Sequence, residues 1–143
     1  MANALFNPGR EGFLTAEIDW DTAVIKALLV RSYTFSAAHK FVSDVTGASG
    51  VIAATSAALG TKTVTDGIAD AADIVFSAVA ANANPHSLII IQASAVTGGA
   101  DVAASAQRLI GFLDTGTNLP VTPNGGDITV AWSNVAGSRI FKL

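Results

Sequence analysis

Apolar positions in this chain fall into short runs, each closed by Gly, Asp-Gly or Asn-Pro. Residues 22–32 form the first, and a run this short fits either a buried helix segment or a strand. The β-branched Thr22, Val24, Ile25 and Val30 favour a strand that Tyr33 and Phe35 continue. Ser36 then precedes a stretch with Phe41 and Val45 four residues apart, which predicts one short helix capped at Ser36 and ended by Gly47 and Gly50. Residues 51–59, 61–65, 72–79 and 87–93 are rich in Val, Ile, Thr and Ala and read as further strands. They are separated by Gly60, by Asp66-Gly67 and by a turn-rich stretch ending at Pro85.

Residues 97–108 are the least strand-like part and read as a loop or a single helical turn. A strand returns at 109–114, and a loop with Pro120, Pro123 and a tight Asn124-Gly125-Gly126 turn follows. In 128–133 the chain alternates, with Ile128, Val130 and Trp132 on one side and Thr129, Ala131 and Ser133 on the other, the mark of a half-buried strand. Residues 139–143 are short and alternating enough to pair at a sheet edge. The fold class predicted is mainly β: an antiparallel β-sandwich or barrel of short strands with one short helix.

The first residues depart from this pattern. Between 2 and 13 the chain mixes Asn, Pro and Gly with isolated Leu5, Phe6 and Phe13, which reads as an extended N-terminal arm with apolar anchors or as a partly frayed terminus. The organisation expected is an arm over 1–14 and a single β-rich domain over 15–143; no repeat of fixed period and no linker divides the chain.

Composition sharpens the picture at one point. Half of the 143 residues are hydrophobic, mostly small, and only 13% are charged, where a free monomer usually carries about 25%. Sparse charge suggests surface reserved for other subunits. A net charge of −3, with eight Lys and Arg scattered along the chain, offers no basic stripe for nucleic acid. No apolar run approaches the roughly 20 residues of a membrane-spanning helix, and the first residues lack the basic-then-apolar order of a signal peptide, so a cytosolic product is expected. Without cysteine, disulfides and thiolate metal sites are excluded.

Candidate chemistry is thin. His39 and His86 are the only histidines available as a base, and no Gly-x-Ser-x-Gly elbow accompanies them, so solvated or packed histidines are the expected reading. Glu17, Asp19 and Asp21 alternate and on an extended segment would share one face; Asp66, Asp70 and Asp73 form a second group. Neither has the spacing of a calcium loop, which favours solvated turn acids. Gly98-Gly99 follows a strand but belongs to no phosphate-binding motif. Trp20 and Trp132 read as large packing pieces in a core of small residues. Neither an enzyme nor a cofactor is expected.

Several strings are distinctive together: residues 1–14, Glu17-Ile18-Asp19-Trp20, residues 62–73, residues 119–132 and residues 139–143. In them, from end to end, the chain resembles small structural proteins of tailed-bacteriophage virions, most of all capsid decoration (cement) proteins. That resemblance implies a protein made in the host cytoplasm and resident on the capsid surface. It implies a homotrimer as the working state and the major capsid protein as partner, with no direct nucleic acid and no membrane. The contacts expected for such a role are Leu5, Phe6, Arg10 and Phe13 of the arm, Trp20, and Asn118, Pro120 and Pro123 of the late loop. A tail or neck component is the alternative within the same class; a small sugar-binding module or hydrolase is the competing class.

Overall fold

A computed structural model describes residues 3–116, 119–134 and 140–143. The chain is mainly β, with antiparallel sheets arranged as a sandwich-like domain. In chain order the elements are β1 (Ala4–Leu5), α1 (Asn7–Leu14), β2 (Val24–Arg31), α2 (Val42–Gly47), β3 (Val51–Thr55), β4 (Thr63–Thr65), β5 (Ile68–Asp70), β6 (Ile74–Phe76), β7 (Ser87–Ser94), β8 (Arg108–Leu113), β9 (Ile128–Val130) and β10 (Phe141–Lys142). A central sheet has the order β1-β8-β7-β2-β3, while β10-β5-β4 and β6-β9 form two small sheets.

The central strands β2, β7 and β8 are buried on both faces, which is why they read as continuous apolar runs rather than alternating ones. On one face Ile25, Leu29, Leu88, Ile90 and Ile110 share a core with Ile74, Phe76, Ile128 and Val130 of the β6–β9 sheet and with Trp132 just beyond it. The other face carries Leu28, Val30, Ile89, Ile91 and Leu109 beneath Phe6, Val42 and Val45, with Tyr33 and Phe35 at the margin. Register in the β4–β5 hairpin pairs Thr65 with Ile68. The two turn residues between them, Asp66 and Gly67, take φ of 53° and 76°, the left-handed pair that a tight hairpin with native twist requires.

The N-terminal segment is not an extended arm. Ala4 and Leu5 pair with Phe112 and Gly111 of β8, the Phe6 amide donates to the Ile110 carbonyl at 3.0 Å, and Asn3 Oδ1 accepts from the amides of Asp114 and Thr115. Asn7–Leu14 then forms a helix. Its Pro and Gly content, typical of a turn, has a packing cause. Pro8 lies in the first turn, where its missing N–H costs nothing. Gly9 rests directly on β8: a Cβ there would lie 2.7 Å from the Leu109 carbonyl oxygen, and one on Gly12 would meet Ile18 at 2.6 Å. Arg108 fastens the helix, donating from Nη2 to the Pro8 carbonyl at 2.7 Å and from Nη1 to the Glu17 carboxylate.

Among the described residues there are therefore two helices rather than one, and the expected one begins later than Ser36. The Asp44 carboxylate accepts from the amides of Lys40 and Phe41 at 2.8 and 2.9 Å and closes the start of α2. Those bonds hold its carboxyl below the usual range. His39 and Lys40 precede the helix.

Edge strand β3 carries no charged residue or proline, but the step Ile52-Ala53-Ala54 faces only Val30-Leu29 of β2. This bulge at Ala53 disturbs the regular edge, one of the devices that limits edge-to-edge pairing. The expected edge strand at the C-terminus appears as β10, which pairs with β5.

Candidate functional site

The residues singled out in the sequence divide sharply by burial. Phe6 is fully buried, Trp20 is 5% exposed and Leu5 9%. Phe6 packs its ring 5.1 Å from Phe35, and Trp20 meets Phe141 edge-on at 5.1 Å. These two are interior groups, so the expectation that they reach a neighbouring surface is corrected. Phe6 is buried because the segment expected to be an arm is built into the sheet, and Trp20 because it packs into the core cluster beside Phe141. Phe13 is half-buried, 5.8 Å from the same Phe141. Asn118 lies outside the described residues. Pro123 is buried, whereas Arg10 and Pro120 are exposed.

Two surface depressions collect what remains. The first, of about 220 Å³, lies between α1 and the C-terminal strand and is lined by Asn3, Ala4, Leu5, Arg10, Ile90, Gly111, Leu113, Ile140, Phe141 and Lys142. It joins Leu5 and Arg10 directly, and Phe13 and Trp20 through Phe141. Lys142 was not singled out in the sequence, and only the fold brings it to the same depression as Arg10. Arg10 and Lys142 have no carboxylate partner among the described residues; the ion pairs there are Lys26 with Asp101 and Arg108 with Glu17. A pit of mixed polar and apolar lining that includes Arg10 and Lys142 suits a group that carries a carboxylate.

The second is an open groove of about 840 Å³ bordered by Arg31, Tyr33, Phe35, Asn84, Pro85, Phe112, Asp114, Leu119 and Pro120. Phe35 and Phe112 pack with ring centroids 5.4 Å apart. Ser32 at its edge has φ of 56°, a conformation that side-chain-bearing residues seldom adopt. The Tyr33 hydroxyl lies 2.7 Å from His39 Nδ1. Burial pushes its phenol above the ordinary value; a backbone hydrogen bond at Ser36 opposes the shift and the Asp44 charge adds to it. Pro120 and Pro123 also line a separate hollow of about 340 Å³ with Asn124, Asp127 and Thr129.

The other candidate groups are engaged in structure. His86 is 1% exposed and exchanges backbone bonds with Val121 at 2.7 and 2.9 Å. Its Nδ1 donates to the Asn84 carbonyl at 2.8 Å. No serine hydroxyl hydrogen-bonds either histidine among the described residues.

Glu17, Asp19 and Asp21 do not share one extended face, because residues 15–22 turn instead of running straight. Glu17 pairs with Arg108. Asp19 accepts from the Thr22 hydroxyl at 2.6 Å and from the amides of Asp21 and Thr22, and the two Thr22 bonds in particular hold its carboxyl low. In the second acidic group, Asp66 sits in the hairpin turn and Asp73 accepts from the Trp132 amide at 2.9 Å. Among the described residues no three acids and histidines converge as a metal site.

Lys62 reaches the Ala23 carbonyl at 2.6 Å; burial lowers its ammonium pKa, partly offset by Asp21 and Asp19. Gly98-Gly99 forms a tight turn, with the Gly99 amide donating to Val96, and opens no helix. No helix among the described residues is long and apolar enough to cross a membrane.

The structure thus defines a small antiparallel β domain with an aromatic groove and a shallow pit that includes two cations. No family model, curated protein or solved structure matches the chain.

Proposed function

We propose that the chain is a non-catalytic structural protein of a tailed-phage virion, an oligomer that binds the outer capsid surface and reinforces contacts between capsomers. The observation that carries this reading is the lack of charge on exposed surface. Between residues 71 and 100 Asp73 is the one Asp, Glu, Lys or Arg, yet Ala72, Val75, Ala80, Ala81, Ala83 and Val96 all face outward. A protein that remains free in water keeps ionised groups on such surface, whereas one that spends its life covered does not. Many shallow contacts, each weak, add to firm attachment when several copies engage one shell.

The reading is tested by adding the purified chain to shells that lack it and following saturation and the heat resistance of the shells. Saturable binding with a raised disruption temperature is expected. Absence of binding, or binding with no gain in resistance, overturns the proposal.

The aromatic groove favours a second reading, a sugar-binding module, since Tyr33 and Phe35 lie beside Asn84 and Asp114 as stacking and hydrogen-bonding groups do in such sites. Oligosaccharide titration that perturbs these side chains, and that Phe35→Ala abolishes, would move the assignment to that class.

A further inference from the structure

Leu14 closes α1 with 87% of its surface exposed, more than any other large apolar side chain among the described residues. One helical turn earlier on the same flank stands Arg10, which with Lys142 rims the pit walled by Leu5, Ile90, Leu113 and Phe141. Glu11, exposed on the same helix, has no cationic partner among the described residues. The helix thus bears an apolar knob near a carboxylate and, beside them, a shallow pit of mixed lining with two cations. The two halves are complementary in charge.

We propose that a second copy of this chain docks here, α1 antiparallel to α1, with Leu14 of each protomer seated in the pit of the other. The contact rests on the self-association that the proposed function requires and names its surface. In an antiparallel arrangement with the twofold axis level with Gly12, position 14 of one helix lies over position 10 of its partner, and the reverse. Leu14 then meets the mouth of the opposing pit, and Glu11 comes alongside the opposing Arg10 and Lys142. Knob and hole adjoin on one helix, so the contact closes at two copies; a ring would need them on opposite flanks. This differs from the trimer that the resemblance implies. The rival self-contact, the β3 edge, is blunted by its bulge.

The experiment is sedimentation equilibrium of the purified full-length chain over a wide concentration range, with circular dichroism as the fold check. Wild type is expected as a reversible dimer. Leu14→Asp should raise the dissociation constant roughly a hundredfold, because each substitution enters a twofold contact twice and each lost leucine contact is worth about a factor of ten or more. Leu14→Met should keep the dimer. Arg10→Glu should weaken it, and adding Glu11→Lys should recover part of the loss.

An oligomer indifferent to Leu14→Asp, or a trimer, overturns the α1 contact and leaves self-association standing. A wild-type monomer at every concentration overturns self-association as well. If Leu14→Asp and Leu14→Ser both fail to fold, the contact is also overturned, since a side chain that exposed has no part in holding the protomer together.

Discussion

Phe6→Ala separates an integral N-terminal segment from an appended one. The ring is fully buried, in one cluster with Ile89, Leu109 and Phe112 and against Phe35. Truncating a buried Phe to Ala costs about 3–5 kcal/mol, and an aromatic pair adds about 0.5–1.5 kcal/mol within that range. The backbone bond from the residue 6 amide to Ile110 survives the change, so the loss is one of packing. About 4 kcal/mol is expected. With a urea slope of about 2 kcal/mol/M the unfolding midpoint falls by about 2 M, and at about 3 °C per kcal/mol for a chain of this length Tm falls by about 12 °C. Urea unfolding followed by tryptophan fluorescence measures it, because Trp20 and Trp132 are both buried. Val64→Thr, on the exposed strand β4, is the control and should stay within about 0.5 kcal/mol. A loss below about 1 kcal/mol for Phe6→Ala would refute the reasoning, since it would mean that the segment does not hold the core. For the same reason deletion of residues 2–13 is a poor probe of shell binding: it removes β1 and most of α1 and should unfold the domain.

Gly9→Ala places a Cβ 2.7 Å from a β8 carbonyl oxygen that cannot move aside, and should cost about 1–3 kcal/mol by thermal unfolding despite alanine's higher helix propensity. Arg108→Met leaves the Pro8 carbonyl without its partner and Glu17 unpaired; because Glu17 is half exposed, the expected loss is about 2 kcal/mol in chemical denaturation. Asp19 and Asp44 have folded pKa values below their unfolded ones, so their contribution is complete above the unfolded value of about 4 and is lost as pH falls through the lowered folded values. Asp44→Asn should flatten that acid limb in a pH series of unfolding midpoints, and an unchanged limb would count against the α2 cap. Replacing His39 and His86 together should leave shell binding unchanged once the folded fraction is matched, whereas a histidine-dependent activity would vanish.

What could be read from residue order was governed by period and turn chemistry. Strands β2, β7 and β8 were legible as apolar runs, β9 by its alternation and the β4–β5 turn by Asp66-Gly67. Helix α1 was not, because the glycines that let it lie on β8 are the residues that signal a turn in isolation, and only the fold shows what Gly9 and Gly12 approach. The start of α2 was misplaced because its cap is the Asp44 carboxylate reaching back to two amides, not a residue ahead of the helix. At the pit, Arg10 was visible as a candidate, but Lys142 joins it only through the pairing of β10 with β5, a contact with no local signature. Leu14 passed unnoticed in the sequence, since exposure of one leucine is a property of the folded helix.

Imaging the intact particle at a resolution that traces this fold tests the central claim most directly. Copies distributed over the whole head, seated across capsomer boundaries, are the result the account predicts. Density confined to a single vertex would place the chain in the neck or tail, and its absence from the particle would contradict a structural role in the virion altogether.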